Sequence, residues 1–162
     1  MGWVHANGSN NANSQAMTEF LDFTNFTRPS SKNHYLVAPE GLCQNATPDA
    51  AAPVFPMELP ALYANLVAQI ENTPGFVDLV QDAENCRLRF IAKTKLLKFK
   101  DDIDVSVLSA PGGATLAIYS RSRVGYGDFG ANKKRVEGML KALYEELTMA
   151  EGRIAGGSNP RP

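Results

Sequence analysis

Four segments between Phe76 and Val124 alternate polar and apolar side chains with a period of two, and this constrains the fold more than any other feature. Phe76 to Asp82 is the first candidate strand. Arg87 to Leu97 is the second, with Leu88, Phe90, Ala92 and Leu96 on one face and Arg87, Arg89, Lys93 and Lys95 on the other. In the third, from about Asp102 to Leu108, Ile103, Val105 and Val107 alternate with Asp102, Asp104 and Ser106. Pro111-Gly112-Gly113 signals a turn. The fourth, Ala114 to Val124, sets Leu116, Ile118 and Val124 against Ala117, Tyr119, Arg121 and Arg123. One apolar face per strand predicts an antiparallel sheet covered on one side.

Helical spacing flanks the strands. Leu59-Pro60-Ala61 opens a helix, with proline tolerated in the first turn, and Leu62, Leu66 and Ile70 form its stripe. Thr73-Pro74-Gly75 stops it. The last helix is read from Phe129, Val136, Met139, Leu140, Leu143 and Leu147, with Asp128 at the N-cap position. The order predicts an α+β two-layer sandwich: about four antiparallel strands, two helices on one face, and an extended proline-rich N-terminal arm.

A chain of 162 residues fits one domain plus tails. Residues 1–27 read as a tail and aromatic arm, 28–58 as a proline-rich wrap, 59–150 as the core domain and 151–162 as a second tail. Within the wrap, Tyr35-Leu36-Val37 is a candidate edge strand. Phe20, Phe23 and Phe26 recur every third residue, which suits either a docking arm for a neighbour or aromatic packing on the chain's own domain.

A net charge of −1 gives no bulk reason to expect nucleic acid or an anionic membrane as partner. No stretch approaches the roughly 18 apolar residues of a spanning helix. Met1 to Gln15 has neither the apolar run of a secretory signal nor an arginine-rich amphipathic pattern, so no targeting peptide is expected there. Cys43 and Cys86 match no zinc spacing and read as small core thiols or one disulfide. No metal, cofactor or catalytic residue is expected: His5 and His34 stand apart, and no nucleophile has a base beside it in a recognisable motif.

The densest candidate site is the corner where the fourth strand turns into the last helix. Arg121, Arg123, Tyr126, Asp128, Asn132 and Arg135 crowd it, interleaved with Gly125, Gly127 and Gly130. Guanidinium groups, free amides and the helix dipole would suit an anion or an acidic partner. The same groups would equally pin the junction by pairing with one another. The outer sheet face poses a similar choice. Arg87, Arg89, Lys93 and Lys95 facing Asp102 and Asp104 suit cross-strand ion pairs or a charged docking face.

The run Ser120-Arg121-Ser122-Arg123-Val124-Gly125-Tyr126-Gly127-Asp128-Phe129-Gly130-Ala131-Asn132-Lys133-Lys134-Arg135-Val136 resembles the signature of the domain of unknown function 1499 family. Lys32-Asn33-His34-Tyr35-Leu36-Val37-Ala38-Pro39, Pro48-Asp49-Ala50, Pro53-Val54-Phe55 and Thr94-Lys95-Leu96-Leu97-Lys98-Phe99-Lys100-Asp101 look like the same family. Lys100 stands where the pattern would have proline. The resemblance implies no chemistry, because the family has no established activity. Its distribution in bacteria and plastid-bearing eukaryotes implies a plastid, thylakoid-associated setting.

The leading expectation is a non-catalytic accessory subunit or assembly protein that docks peripherally on a larger, photosynthetic membrane complex through arm, tails and charged face. The alternative is a small-ligand module holding an anionic or lipid-like molecule at the corner.

Overall fold

The computed structural model describes residues 19–95, 97–125, 127 and 130–156. Among them the strands are β1 (His34–Ala38), β2 (Ala50–Ala51), β3 (Phe76–Asp82), β4 (Arg87–Lys93), β5 (Lys100–Ala110) and β6 (Gly113–Ser122). The helices are α1 (Leu59–Asn72) and α2 (Ala131–Gly156). The architecture is α+β. Its sheet is six-stranded and mixed, in the order β2-β1-β6-β5-β4-β3. The expected four-stranded meander is present as β3 to β6, antiparallel throughout. The proline-rich wrap adds two more strands. β1 pairs antiparallel with β6, and β2 pairs parallel with β1 at the edge.

The extra strands have local causes. Asp49 holds the crossover from β1 to β2: its carboxylate accepts from the Leu36 amide at 2.8 Å, and its own amide donates to the Leu36 carbonyl at 2.8 Å. Arg28 ties the same carboxylate at 2.8 Å and donates to the Thr47 carbonyl at 2.7 Å. At two residues, β2 leaves little open edge for another chain to extend.

Both helices cover one face. Leu62, Leu66 and Ile70 of α1 and Val136, Met139 and Leu143 of α2 pack on Leu88, Phe90, Ile103, Val105, Leu116 and Ile118. Pro60 sits in the first turn of α1, and Thr73, held extended before Pro74, ends it. α2 runs past Gly152 to Gly156, so the second tail expected from residue 151 begins as helix.

The opposite face carries a smaller core in which Phe23 and Phe26 pack on Leu36, Ala38, Ala117 and Tyr119. Asp22 shapes the turn that delivers them, accepting from the Thr24 amide at 3.0 Å and the Asn25 side chain at 2.7 Å. The aromatic arm is therefore packed on its own domain, and Phe23 and Phe26 are not presented to a neighbour. Phe20 is half-buried beneath the Arg87 guanidinium, 5.0 Å from its ring centre. Both cysteines are free and half-buried, and burial pushes the Cys43 thiol pKa up.

β4 and β6 end earlier than their alternation suggests. Thr94 closes a turn with Phe99 instead of continuing β4: its amide donates to the Phe99 carbonyl at 2.9 Å, and its hydroxyl accepts from the Phe99 amide at 3.0 Å. Lys98, at φ 56°, lies in the left-handed region, which breaks the extended run of a strand. Leu96, expected on the apolar face of β4, lies outside the described residues, as do Phe129 and residues 1–18.

Phe55 reaches across to β6, exchanging hydrogen bonds with Ala114 at 2.7 and 3.0 Å. That crossing leaves no room at Gly113, where an added Cβ would fall 2.0 Å from the Phe55 carbonyl oxygen. Gly113→Ala is expected to cost at least about 2 kcal/mol of unfolding free energy in urea titration. A loss within about 0.5 kcal/mol would mean that the crossing segment yields freely.

Candidate functional site

The residues gathered at the corner in sequence separate in space, because alternate residues of a strand leave the sheet on opposite sides. Ser120 and Ser122 face the helices. There, Ser120 Oγ donates to Asn132 Oδ1 at 2.6 Å. Arg135 Nη1 donates to Ser120 Oγ at 2.9 Å and to Asn132 Oδ1 at 2.8 Å. Its Nη2 donates to Asp101 Oδ2 at 2.5 Å. Asn132 Nδ2 donates to the Asn33 carbonyl at 2.9 Å and to Ser122 Oγ at 3.0 Å. Asn33 Nδ2 reaches the carbonyls of Ser122 and Val124 at 3.3 Å and of Gly125 at 2.7 Å. Asn33, Asp101, Ser120 and Asn132 are all buried. This network joins β1, β5 and β6 to the first turn of α2.

Arg121 and Arg123 serve Asp102 instead. Arg123 grips it with two hydrogen bonds, at 2.9 and 2.7 Å, and Arg121 stands 3.9 Å away. The hydrogen bond to Asp102 pushes the Arg123 pKa up. The structure thus places these candidate residues in two groups, Arg121 and Arg123 around Asp102, and Asn132 and Arg135 beside Asp101. Tyr126 and Asp128 lie outside the described residues. Asp101 and Asp102 are what sequence reasoning missed at the corner. Their position beside Ser122 and Arg121 depends on the β5–β6 register.

The outer face holds cross-strand ion pairs. Arg89 stands opposite Asp104, with their charged groups 3.5 Å apart, while Arg87 binds Asp82 at 2.6 Å. Arg89 also donates to the Glu19 carbonyl at 2.6 Å, so the arm covers part of this face. Asp104 Oδ1 and the Tyr119 hydroxyl are buried without a hydrogen bond among the described residues and line a cleft of about 340 Å³ with Arg121 and Leu21. Burial pushes the Asp104 pKa up against the pull of Arg89, and pushes Tyr119 up to about 12. His34 stacks on Tyr119 with ring centres 5.5 Å apart and meets Arg28 at 3.2 Å, which makes it a packing residue.

On the helix side, the corner opens into a pocket of about 510 Å³. Leu97 and Phe99 of the β4–β5 turn form one wall, and Val124, Gly125 and Gly127 form the other. Asp101 and Ser122 lie at its base, with Ala131 of α2 beside them. Leu97 is 69% exposed, Phe99 46% and Val124 54%. The available sequence signal was the pair Leu97 and Phe99 set among Lys95, Lys98 and Lys100, of which the alternation placed only Leu97 in a strand. Among the described residues, no group of three His, Cys, Asp or Glu could hold a metal. No helix there is long and apolar enough to cross a membrane.

Two outcomes test these assignments. Arg135→Met leaves the Asp101 carboxylate buried without its cation and is expected to cost about 3–5 kcal/mol in urea unfolding. Adding Asp101→Asn should recover at least half; strictly additive losses would show that the two groups do not act as a pair. For Asp104, a folded pKa above the unfolded value means that its charged form is disfavoured by folding. That penalty is absent below the unfolded value of 3.8 and grows as pH rises through the folded pKa. The Tm of Asp104→Asn relative to the native chain should therefore climb between about pH 4 and neutrality. A difference that falls with pH would contradict the assignment.

The comparisons with known proteins agree with the signature at this corner. A family model described as a protein of unknown function, DUF1499, matches residues 10–143. No curated protein and no solved structure matches the chain. With most of its length matched, from ahead of the aromatic arm into α2, the chain belongs to the DUF1499 family.

Proposed function

We propose that this protein is a non-catalytic binding module that holds an amphiphilic, lipid-like molecule in the corner pocket. One observation carries the reading: Leu97, Phe99 and Val124 expose apolar surface around a single cavity rather than at scattered points. A cavity of about 510 Å³ accommodates an acyl chain, and its base is polar. Anion binding by the arginines has less support, because Asp101 engages Arg135 and Asp102 is shared by Arg123 and Arg121. A head group would instead meet the exposed Lys98 and Lys100.

A second reading keeps the protein as a non-catalytic accessory subunit docking peripherally on a larger complex. The observation in its favour is the outer half of α2, where Tyr144 and Met149 are exposed along a shallow depression lined also by Lys141, Glu145 and Thr148, and Ile154 is exposed further along the helix. The aromatic arm gives that reading no support, because its rings are buried.

Laurate, titrated below its micellar concentration, should bind and raise the Tm. Phe99→Ser and Val124→Ser, both at exposed positions, should each weaken binding about tenfold or more while the fold is retained. If laurate does not bind, and the chain isolated under native conditions runs far above 17.6 kDa with defined companions, the accessory-subunit reading replaces this one.

A further inference from the structure

Charge is distributed unevenly over this molecule. On the sheet, Arg87 is matched to Asp82 and Arg89 to Asp104, while Arg121 and Arg123 share Asp102. At the β4–β5 turn the pattern changes. Lys93, Lys95, Lys98 and Lys100 are all exposed. Among the described residues, none of them has a carboxylate within ion-pair distance. The excess positive charge is therefore local, on a chain whose net charge is −1.

The same turn presents Leu97 and Phe99, with Val124 joining them across the pocket mouth. Thr94 and Phe99 close the base of the turn with two hydrogen bonds, at 2.9 and 3.0 Å, and the Arg123 amide reaches the Lys100 carbonyl at 3.4 Å. Apolar side chains interleaved with lysines on a projecting turn match the layering of a membrane interface. The apolar groups enter the acyl boundary, and the ammonium groups stay at the level of the head groups on flexible stems. Polybasic segments gain attraction from anionic lipids over about one Debye length, which a local cluster can use without a basic protein behind it. An acidic protein surface would satisfy the lysines but leave Leu97, Phe99 and Val124 in need of a matching apolar recess.

We infer that the described residues of this turn, Lys93–Lys95 and Leu97–Lys100, with Val124 beside them, dock on an anionic lipid surface, so that the corner pocket opens toward the bilayer. This rests on the pocket reading for what the docked protein would take up. Lys93 and Lys95 neither line the described pocket nor stand at its head-group end, so docking and uptake can be separated.

The test is flotation of the full chain with phosphatidylcholine vesicles, with and without phosphatidylglycerol, beside laurate titration in solution. The native chain should float with the anionic vesicles only, and added salt should release it. Lys93→Glu with Lys95→Glu should lower vesicle partitioning at least about tenfold and leave the laurate-induced rise in Tm intact. Leu97→Asp, at an exposed position, should also lower partitioning. A chain that binds laurate but stays at the bottom of the gradient overturns the docking and leaves the pocket reading standing. A chain that floats but takes up no laurate supports the docking and removes the pocket reading. Partitioning unchanged by the charge reversals, or captured only by an acidic protein surface, overturns the lipid assignment.

Discussion

The contact on which the rest of the structure depends is the ion pair of Arg135 with Asp101, buried where β5 and β6 meet the first turn of α2. A buried carboxylate and guanidinium must match each other's geometry closely, since the interior supplies no water to correct a poor fit. Asn132, Ser120 and Ser122 complete that match, and Asn33 extends it to β1 and to the carbonyls of the departing chain. Apolar packing alone would hold α2 on the sheet through Val136, Met139 and Leu143 but would tolerate some sliding. The polar network fixes the helix start relative to three strands at once.

This arrangement explains why the corner presents so little free charge despite its arginine-rich sequence. Adjacent aspartates on β5, pointing to opposite sides of the sheet, each take a share of the cations. What remains available at this end is apolar surface from the two connections and the lysines around it. Binding chemistry therefore moves from the strand that carries the signature to the turn beside it. The signature residues act as the foundation of the site and the turn as its contact surface.

The meander and both helices were legible because one-sided burial writes a period into the sequence. Ile103, Val105 and Val107 alternate as they do because Asp102 and Asp104 must leave on the other side. β1 was legible as a candidate edge strand at Tyr35-Leu36-Val37, but β2, which pairs outside it, and the sheet position of both were hard to read. Prolines surround them, and they are held by Asp49 and Arg28, contacts distant in sequence with no periodic trace. The arm posed a different difficulty. A spacing of three aromatics looks the same whether it faces a partner or the chain's own sheet, and only the ring of Tyr119, 4.6 Å from Phe26, decides between them. At the corner, residue types were readable but their pairings were not, because the register of β5 against β6 sets which aspartate meets which arginine.

The pocket follows from the same division between fixed and free parts. Its base belongs to the buried network and cannot shift without breaking charge-assisted hydrogen bonds, so it holds a constant shape. Its walls belong to connections. One is stiffened by the Thr94–Phe99 closure, and the other turns at Gly125 and Gly130, whose φ values of 87° and 78° favour glycine. A binding site for a polar, directional ligand would place its donors and acceptors on the rigid part. Here those groups are already satisfied by one another, and the exposed apolar side chains sit on the walls. Apolar contact is non-directional, so walls of this kind can select for chain-like surface without precise placement. The geometry thereby favours a ligand defined by its apolar length over one defined by a set of hydrogen bonds.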